Sequence, residues 1–189
     1  MTNYETIRAE VKEDGIGILT LNRPEKRNAI SIRRKVRSFS KSLIAAVNGS
    51  SLGGGFDLAT LCDLRICTPS ASFGHPEIKF GAPPLFTPLR WIIGDGLARD
   101  LVLTGRAIGA EEAFRIGLVS GIVSADRLME EALRIAKVIL EALPETLRFV
   151  KTGLSSSGGR DFEESFRTEH DQAFRDILLP RARKGLGRK

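Results

Sequence analysis

The chain has few of the residues that build metal centres or disulfide frameworks, with two cysteines and two histidines among 189 residues. Cys62 and Cys67 lack metal-type spacing and do not suggest a disulfide framework, so we expect both to pack as small apolar side chains. His75 and His170 are isolated in the sequence, which predicts structural roles and no zinc site. A redox or metal cofactor is therefore not expected.

Long hydrophobic runs are also missing. No apolar stretch approaches the ~18 residues that a membrane-spanning helix needs. The N-terminus has no basic segment followed by an apolar run, and its early acids, Glu5, Glu10 and Glu13, are not typical of a transit peptide. With 42% hydrophobic and 28% charged residues, the sequence is typical of one globular domain, and we expect a cytoplasmic protein without a membrane partner.

The net charge of +6 is concentrated in two basic segments, residues 23–41 and 181–189. One interpretation is a solvated surface and a frayed tail. The other is attraction for a polyanion, such as a phosphate-bearing ligand or nucleic acid. Nucleic acid is the weaker candidate, because no helix-turn-helix, RNP-type or zinc-finger pattern accompanies the charge.

The order of the predicted elements places strands first and helices last. Alternating or apolar residues at 7–11 and 16–21 flank Asp14 and Gly15, which predicts a hairpin. Buried strands are predicted at 43–47 and 64–67, with a short helix at 56–62 between them. Prolines interrupt 82–88, and helices follow at 89–103, 111–116, 125–143 and 162–177, the first of them interrupted by Gly94 and Gly96.

Three consecutive glycines, Gly53 to Gly55, join the strand at 43–47 to the helix that follows. A helix N-terminus exposes N–H groups without intrahelical partners, and these can stabilise an oxygen that becomes anionic during a reaction. Glycines also let the backbone approach a substrate closely. The N–H of Gly54 could therefore donate to a carbonyl that turns into an enolate. The alternative is a glycine-rich connector that only lets strand and helix pack.

Two carboxylates follow this turn, Asp57 in the first turn of the helix and Glu77 twenty residues later. Taken singly, an acid in the first turn of a helix is favourable through the helix dipole, and an acid just after a turn is often only solvated. Taken together beside one oxyanion site, they would form a general acid/base pair. Their convergence cannot be read from the spacing.

A different chemistry is possible at Ser51, because residues 49–53 match the G-x-S-x-G pattern of a nucleophile elbow. His170 would then be the base. We rank this interpretation low, since the α/β-hydrolase sheet needs more strands before the elbow than the preceding residues supply.

Several ordered motifs resemble the enoyl-CoA hydratase/isomerase (crotonase) family. They span nearly the whole chain: LTLNRPEKRNAI (19–30), IAAVNG (44–49), LGGGFDLA (52–59), CDLRI (62–66), FGHPEIKFG (73–81), LTGR (103–106) and EEAFRIGLV (111–119). The resemblance implies an α/β fold with a ββα spiral core over residues 1–124, which would hold the CoA and acyl site. A C-terminal helical part over 125–189 would build a homotrimer or hexamer.

The resemblance also implies roles for individual residues. The N–H of Gly54 would be one oxyanion donor to the thioester carbonyl, and Asp57 and Glu77 would stand at the two catalytic carboxylate positions. Lys26, Arg27 and Ala29 lie in the segment that would meet the CoA nucleotide. The implied activity is hydration of the 2,3-double bond of an enoyl-CoA, and coenzyme A enters only as part of the substrate. The alternatives are an isomerase of the same family and an inactive CoA-binding or oligomeric homologue.

Three departures from the family pattern bear on this expectation. Asp57 is one methylene, about 1.5 Å, shorter than the glutamate usual there. The stretch after Gly81 is shorter and more apolar than in many hydratases, which puts the acyl pocket in question. From Ser31 to Ser42, the chain has only twelve residues where the family carries several tens, including the loop with the second oxyanion donor. The core is therefore expected to lack one block.

Overall fold

The structure is a computed structural model, and it describes residues 7–12, 14–21, 36, 39–156, 175–176 and 179–180. The strands are β1 (Ile7–Val11), β2 (Gly17–Leu21), β3 (Ile44–Val47), β4 (Ser50–Leu52), β5 (Leu64–Cys67), β6 (Ser72–Gly74) and β7 (Ala107–Gly109). The α-helices are α1 (Gly54–Leu61), α2 (Thr87–Ile93), α3 (Asp95–Thr104), α4 (Ala110–Arg115), α5 (Leu128–Leu140) and α6 (Pro144–Ser156), and a 3-10 helix covers Pro76–Phe80.

The predicted N-terminal hairpin is confirmed. β1 and β2 pair in antiparallel register, from Ile7 opposite Leu21 to Val11 opposite Gly17. Two local features stabilise the turn. Gly15 has a φ of +80°, and the Asp14 carboxylate accepts a hydrogen bond from the N–H of Ile16 at 3.2 Å. These two strands form a sheet of their own among the described residues.

The centre of the fold is a repeated strand–strand–helix unit. β3, β4 and α1 form one unit, and β5, β6 and the 3-10 helix form the next. β3 pairs with β5 in parallel, with Ile44 opposite Leu64, and β4 pairs with β6 in parallel, with Ser50 opposite Ser72. Each unit thus adds one strand to each of two sheets, which is the stacking of a ββα spiral. The sequence shows no repeat, because the repetition lies in the backbone and not in residue identity.

The main core lies under the second of these sheets. Phe56 from α1 and Phe73 from β6 are fully buried, with ring centroids 5.8 Å apart. Helices α2, α3 and α4 add further buried side chains to the same cluster, including Leu89, Leu101 and Ala113. This core fixes the N-terminal half of α1 against β6, and the candidate site is built on these two elements.

Several element boundaries differ from the sequence predictions for identifiable reasons. The strand predicted as buried at 43–47 is only half-buried. Pro88 does not break structure; it lies in the first turn of α2, where the missing N–H costs nothing. The helix predicted at 89–103 is divided at Gly94, with a φ of +80°, while Gly96 lies inside α3. The helix predicted at 125–143 is shorter, since Pro144 begins the separate helix α6, which the sequence reasoning missed.

The described residues fall into two units, one within 1–36 and 43–136 and the other within 37–42 and 137–189. The first contains all seven strands and α1 to α4; the second contains α6. The predicted helix at 162–177 lies almost wholly outside the described residues, and the division at 124/125 stays a prediction. No helix in the described part of the chain combines the length and the apolar character that a bilayer crossing demands.

Cys67 in β5 is fully buried, as its predicted apolar role requires, whereas Cys62 is partly exposed. Burial, with a smaller contribution from Glu111, raises the pKa of the Cys67 thiol from 9.0 to about 11. The folded state therefore keeps a proton that the unfolded state releases, so this contribution to the free energy of unfolding is present below pH 9 and is lost as the pH rises to about 11.

We expect Cys67→Ala to remove part of the alkaline loss of stability, measured by urea unfolding between pH 8 and 11 at intervals of about one unit. Cys62→Ala is the matched control and should retain the wild-type slope. An unchanged slope in Cys67→Ala would show that other groups account for the alkaline loss.

Candidate active site

The turn at Gly53 needs a glycine for two independent reasons. Gly53 has a φ of +53°, a conformation that L side chains rarely adopt. A Cβ at this position would also lie 3.1 Å from Oε2 of Glu77. The N–H of Gly53 donates to the carbonyl of Gly74 at 2.9 Å, which ties the turn to the end of β6. The glycine therefore does more than connect a strand to a helix, because it admits a carboxylate against the turn.

Helix α1 begins directly after this turn, at Gly54, and no side chain caps its N-terminus. The N–H groups of the first helical turn, beginning with that of Gly54, have no carbonyl of their own helix to bind. They point out of the helix end, where the dipole is positive. This is the arrangement that the oxyanion prediction for Gly54 requires.

Asp57 lies in the first turn of α1 and is fully buried. Its backbone N–H donates to the carbonyl of Gly53 at 2.9 Å, which closes the first hydrogen-bonded turn of the helix. A wholly buried carboxyl group is expensive unless other polar groups face it. The helix dipole, the other role that the sequence allowed for Asp57, does not by itself require this burial.

Glu77 lies in the 3-10 helix and is brought to the same turn by strand pairing. β4 and β6 run parallel with Leu52 opposite Gly74, so the chain that leaves each strand emerges at the same edge of the sheet. Glu77 is largely buried, with 16% of its side chain exposed. Its Oε2 forms no hydrogen bond with any described residue. A buried acceptor of this kind, directed at a turn of glycines, is what a substrate or water site offers.

His75 lies between the two carboxylates, so a histidine that is isolated in the sequence has polar neighbours in the fold. Its side chain is fully buried, Nδ1 is 3.0 Å from Oε1 of Glu77, and Nε2 is 3.8 Å from Oδ1 of Asp57. The ring also packs on Phe56, with centroids 4.8 Å apart. The sequence held one indication, since His75 precedes Glu77 by only two positions, but its proximity to Asp57 arises from the pairing of β4 with β6.

We call Asp57, His75 and Glu77 the carboxylate–imidazole cluster. It brings together both predicted catalytic carboxylates beside Gly54, where α1 begins. In the described part of the chain, no group of three histidine, cysteine, aspartate or glutamate side chains is arranged to hold a metal ion. With two carboxylates and one imidazole that can each hold or release a proton, the cluster has the groups of an acid/base site.

The other candidate positions are less favourable or cannot be placed. Ser51 is not on an elbow, because it lies in the middle of β4 and pairs with Phe73 of β6. The sharp turn comes two residues later, at Gly53, so the nucleophile interpretation loses its structural basis. Its proposed base, His170, and the predicted CoA contacts Lys26, Arg27 and Ala29 lie outside the described residues.

Comparison with known proteins agrees with this geometry. The sequence profile of the enoyl-CoA hydratase/isomerase family matches residues 31–184. The chain belongs to this family. A crotonyl-CoA hydratase from Syntrophomonas wolfei is 38% identical over 141 residues, which cover 73% of this chain and 54% of the relative. A short-chain-enoyl-CoA hydratase from Clostridium acetobutylicum is 36% identical over the same shares of both chains.

Solved structures show that the fold is that of the enoyl-CoA hydratase/isomerase family. The chain matches an enoyl-CoA hydratase from Bacillus anthracis with a TM-score of 0.75 and 34% identity, over 80% of this chain and 60% of the other. It matches a Thermobifida fusca protein, solved in complex with CoA, with a TM-score of 0.71 and 29% identity, over 79% and 59%. The predicted crotonase-type α/β fold is thus confirmed. The chain spans about half the length of the curated relatives it matches.

Proposed function

We propose that this protein is an enoyl-CoA hydratase, which adds water across the 2,3-double bond of an enoyl-CoA thioester. The observation that carries the proposal is the convergence of Asp57 and Glu77, through His75, beside the uncapped start of α1. The relatives named as crotonyl-CoA and short-chain-enoyl-CoA hydratases support the substrate class. The Thermobifida fusca relatives solved with CoA and with acetoacetyl-CoA support a CoA thioester as the ligand.

In the proposed reaction, the N–H of Gly54 binds the thioester oxygen and stabilises the charge that develops there. Asp57 accepts a proton from water as the hydroxyl adds to the β-carbon. Glu77 delivers a proton to the α-carbon as the enolate collapses. In this step the O–H bond of water and the C=C π bond break, one C–O and one C–H bond form, and the proton that Glu77 loses to the α-carbon is balanced by the proton that Asp57 gains from water. No redox cofactor enters this scheme.

Isomerisation is a second candidate because the two carboxylates are not equally placed. Asp57 is fully buried on the far side of the imidazole, whereas Glu77 is partly exposed and lies against Gly53. One accessible carboxylate suffices to remove a proton from one carbon and return it to another. A double-bond shift by Glu77 alone therefore fits the geometry, with Asp57 in a supporting role.

The third candidate is a homologue that binds CoA or its own copies without turnover. The segment between Ser31 and Ser42 is predicted to lack the block that carries the second oxyanion donor. One donor alone would forgo an interaction whose loss typically costs roughly 3–4 kcal/mol of transition-state stabilisation. A homotrimer or hexamer, and a cytoplasmic location, stay predictions.

The test is a hydration assay with crotonyl-CoA, followed by loss of the conjugated thioester absorbance and by mass analysis of the product. Intact mass of the purified protein first establishes that the chain assayed is the 189-residue chain. We expect a 3-hydroxyacyl-CoA product. A product of unchanged mass from a longer 3-enoyl-CoA would identify an isomerase, and CoA-thioester binding without either product would identify the inactive homologue.

A further inference from the structure

The imidazole of His75 lies between two carboxylates. Both of its nitrogens face a carboxylate oxygen, Nδ1 toward Glu77 at 3.0 Å and Nε2 toward Asp57 at 3.8 Å. The first distance is that of a hydrogen bond, while the second must contract by about 1 Å to become one. Nε2 forms no hydrogen bond within the described residues. The carboxylate that Nε2 faces is that of Asp57, on α1.

The chemistry of a neutral imidazole restricts the protonation states of this cluster. One ring nitrogen is a donor and the other an acceptor. If Nδ1 carries the proton, it donates to an ionised Glu77, and Nε2 can accept only from a protonated Asp57. If Nε2 carries the proton, it donates to an ionised Asp57, and Nδ1 accepts from a protonated Glu77. In each state, one carboxyl group is an acid while the other is a base.

The two states contain the same protons and interconvert without any co-reactant. The proton on Oδ1 of Asp57 moves to Nε2 as the proton on Nδ1 moves to Oε1 of Glu77, and the reverse shift restores the first state. Net charge is −1 in both. Because the cluster is buried, the hydrogen bond between His75 and Glu77 is stronger than it would be in water, and an arrangement that leaves Nε2 of His75 without a partner is costly.

Other charged groups on the neighbouring elements are engaged elsewhere or exposed. Lys79, on the 3-10 helix, is exposed. Arg106, which immediately precedes β7, directs its guanidinium to Asp100 at 2.6 Å and Glu112 at 2.9 Å. The groups described as facing the imidazole of His75 are thus the two carboxylates and the ring of Phe56.

We infer that His75 is a positioning residue that joins Asp57 and Glu77 into one proton-sharing unit, so that one carboxyl group is protonated when the other is ionised. The inference rests on the proposed roles of these two carboxylates. It explains how a single site presents an acid and a base at the same time. Its test reads protonation directly and requires no turnover, so it can fail or succeed independently of the hydratase assignment.

The experiment is a pH titration of the Glu77 carboxyl by 13C NMR, in the full chain without substrate. Four proteins form a double-mutant cycle: wild type, Asp57→Asn, His75→Gln, and the double variant. Glutamine can still donate to Glu77 but cannot hold a proton in exchange with both carboxylates. With His75 present, we expect Asp57→Asn to move the titration midpoint of Glu77 by about one pH unit or more. In the His75→Gln background, we expect the same substitution to move it by less than half as much.

Two results would overturn the inference. An equal shift in both backgrounds would mean that the carboxylates interact directly through space. If Asp57→Asn left the Glu77 midpoint unchanged with His75 present, the two carboxylates would titrate independently. Each variant is first checked by circular dichroism and thermal unfolding.

A second measurement does not depend on the fold of His75→Gln. The 15N shifts of the imidazole report which ring nitrogen carries the proton, and His170→Gln removes the signals of the chain's other histidine. We expect Glu77→Gln and Asp57→Asn each to change the tautomer or the titration of the His75 ring. A ring that keeps the wild-type shifts in both variants would contradict the coupling.

Discussion

Glutamine in place of Glu77 is expected to lower kcat for enoyl-CoA hydration by about 10²–10⁴-fold, the usual contribution of one general acid/base group. The substitution preserves shape and can still accept the 3.0 Å hydrogen bond from His75. It removes only the capacity to hold a proton that can pass to or from the α-carbon. KM should change little, because the amide still occupies the same volume beside Gly53.

The matched control is Glu130→Gln, the same change on the exposed surface of α5. Steady-state hydration of crotonyl-CoA by both variants separates a specific loss from a general one. Full activity in Glu77→Gln would refute its assignment as the principal acid/base. A parallel loss in Glu130→Gln would instead indicate a defect in the preparation or in folding.

A second large effect is expected at Arg65, which contacts the C-terminal end of α1. The side chain leaves β5 and donates to the carbonyl of Leu118 at 2.7 Å and to that of Cys62 at 2.6 Å. A longer contact, 3.4 Å, reaches the carbonyl of Ala59. Cys62 is the C-cap of α1, so Arg65 places a cation at the negative end of the same helix that carries Gly54 and Asp57 at its start.

Arg65→Met should lower the free energy of unfolding by about 3 kcal/mol. Burial lowers the pKa of this guanidinium below its ordinary value, mainly through desolvation, with partial compensation from Cys62 and Asp63. Arginine nevertheless stays charged, and hydrogen bonds from a charged donor contribute about 1.5–3 kcal/mol each. Methionine would fill part of the volume but leave the part-buried carbonyls of Leu118 and Cys62 without this donor.

Urea unfolding of Arg65→Met and of the control Arg134→Met measures this effect. Arg134 is exposed and pairs only with Glu131 in the described contacts, so its loss should leave the midpoint nearly unchanged. At this chain length, the expected loss at Arg65 corresponds to a fall in Tm of roughly 6–12 °C. Equal midpoints for the two variants would show that the Arg65 network adds no net stability.

The sequence indicated where the site begins along the chain, but not which distant residues come together there. The three glycines and the acid at position 57 lie within one turn, so local rules for helix N-termini apply to them. From its own neighbours in the sequence, Glu77 was an acid after a turn, and only the resemblance to the family placed it at a catalytic position; His75 was an isolated histidine. Their proximity to Asp57 depends on the register of β4 with β6, which pairs residues 22 positions apart and leaves no periodicity in the chain.

The shortened acid at position 57 gains a different meaning in the fold. From the sequence, one missing methylene was a loss of reach toward substrate. In the structure, Asp57 is fully buried and its Oδ1 faces the imidazole, which in turn contacts Glu77. The imidazole of His75 thus lies between the carboxylates of Asp57 and Glu77 and contacts both of them.

The sequence by itself determined the family, the N-terminal hairpin and the glycine turn, because these depend on local backbone preferences and on motifs of adjacent residues. It also predicted both carboxylate positions. Only the tertiary structure decided that the two carboxylates share one site and that His75 joins them. The register of two parallel strands cannot be read from the residues of either strand alone. Burial sets the energetic cost of an imidazole between two acids, and burial arises only when the chain packs.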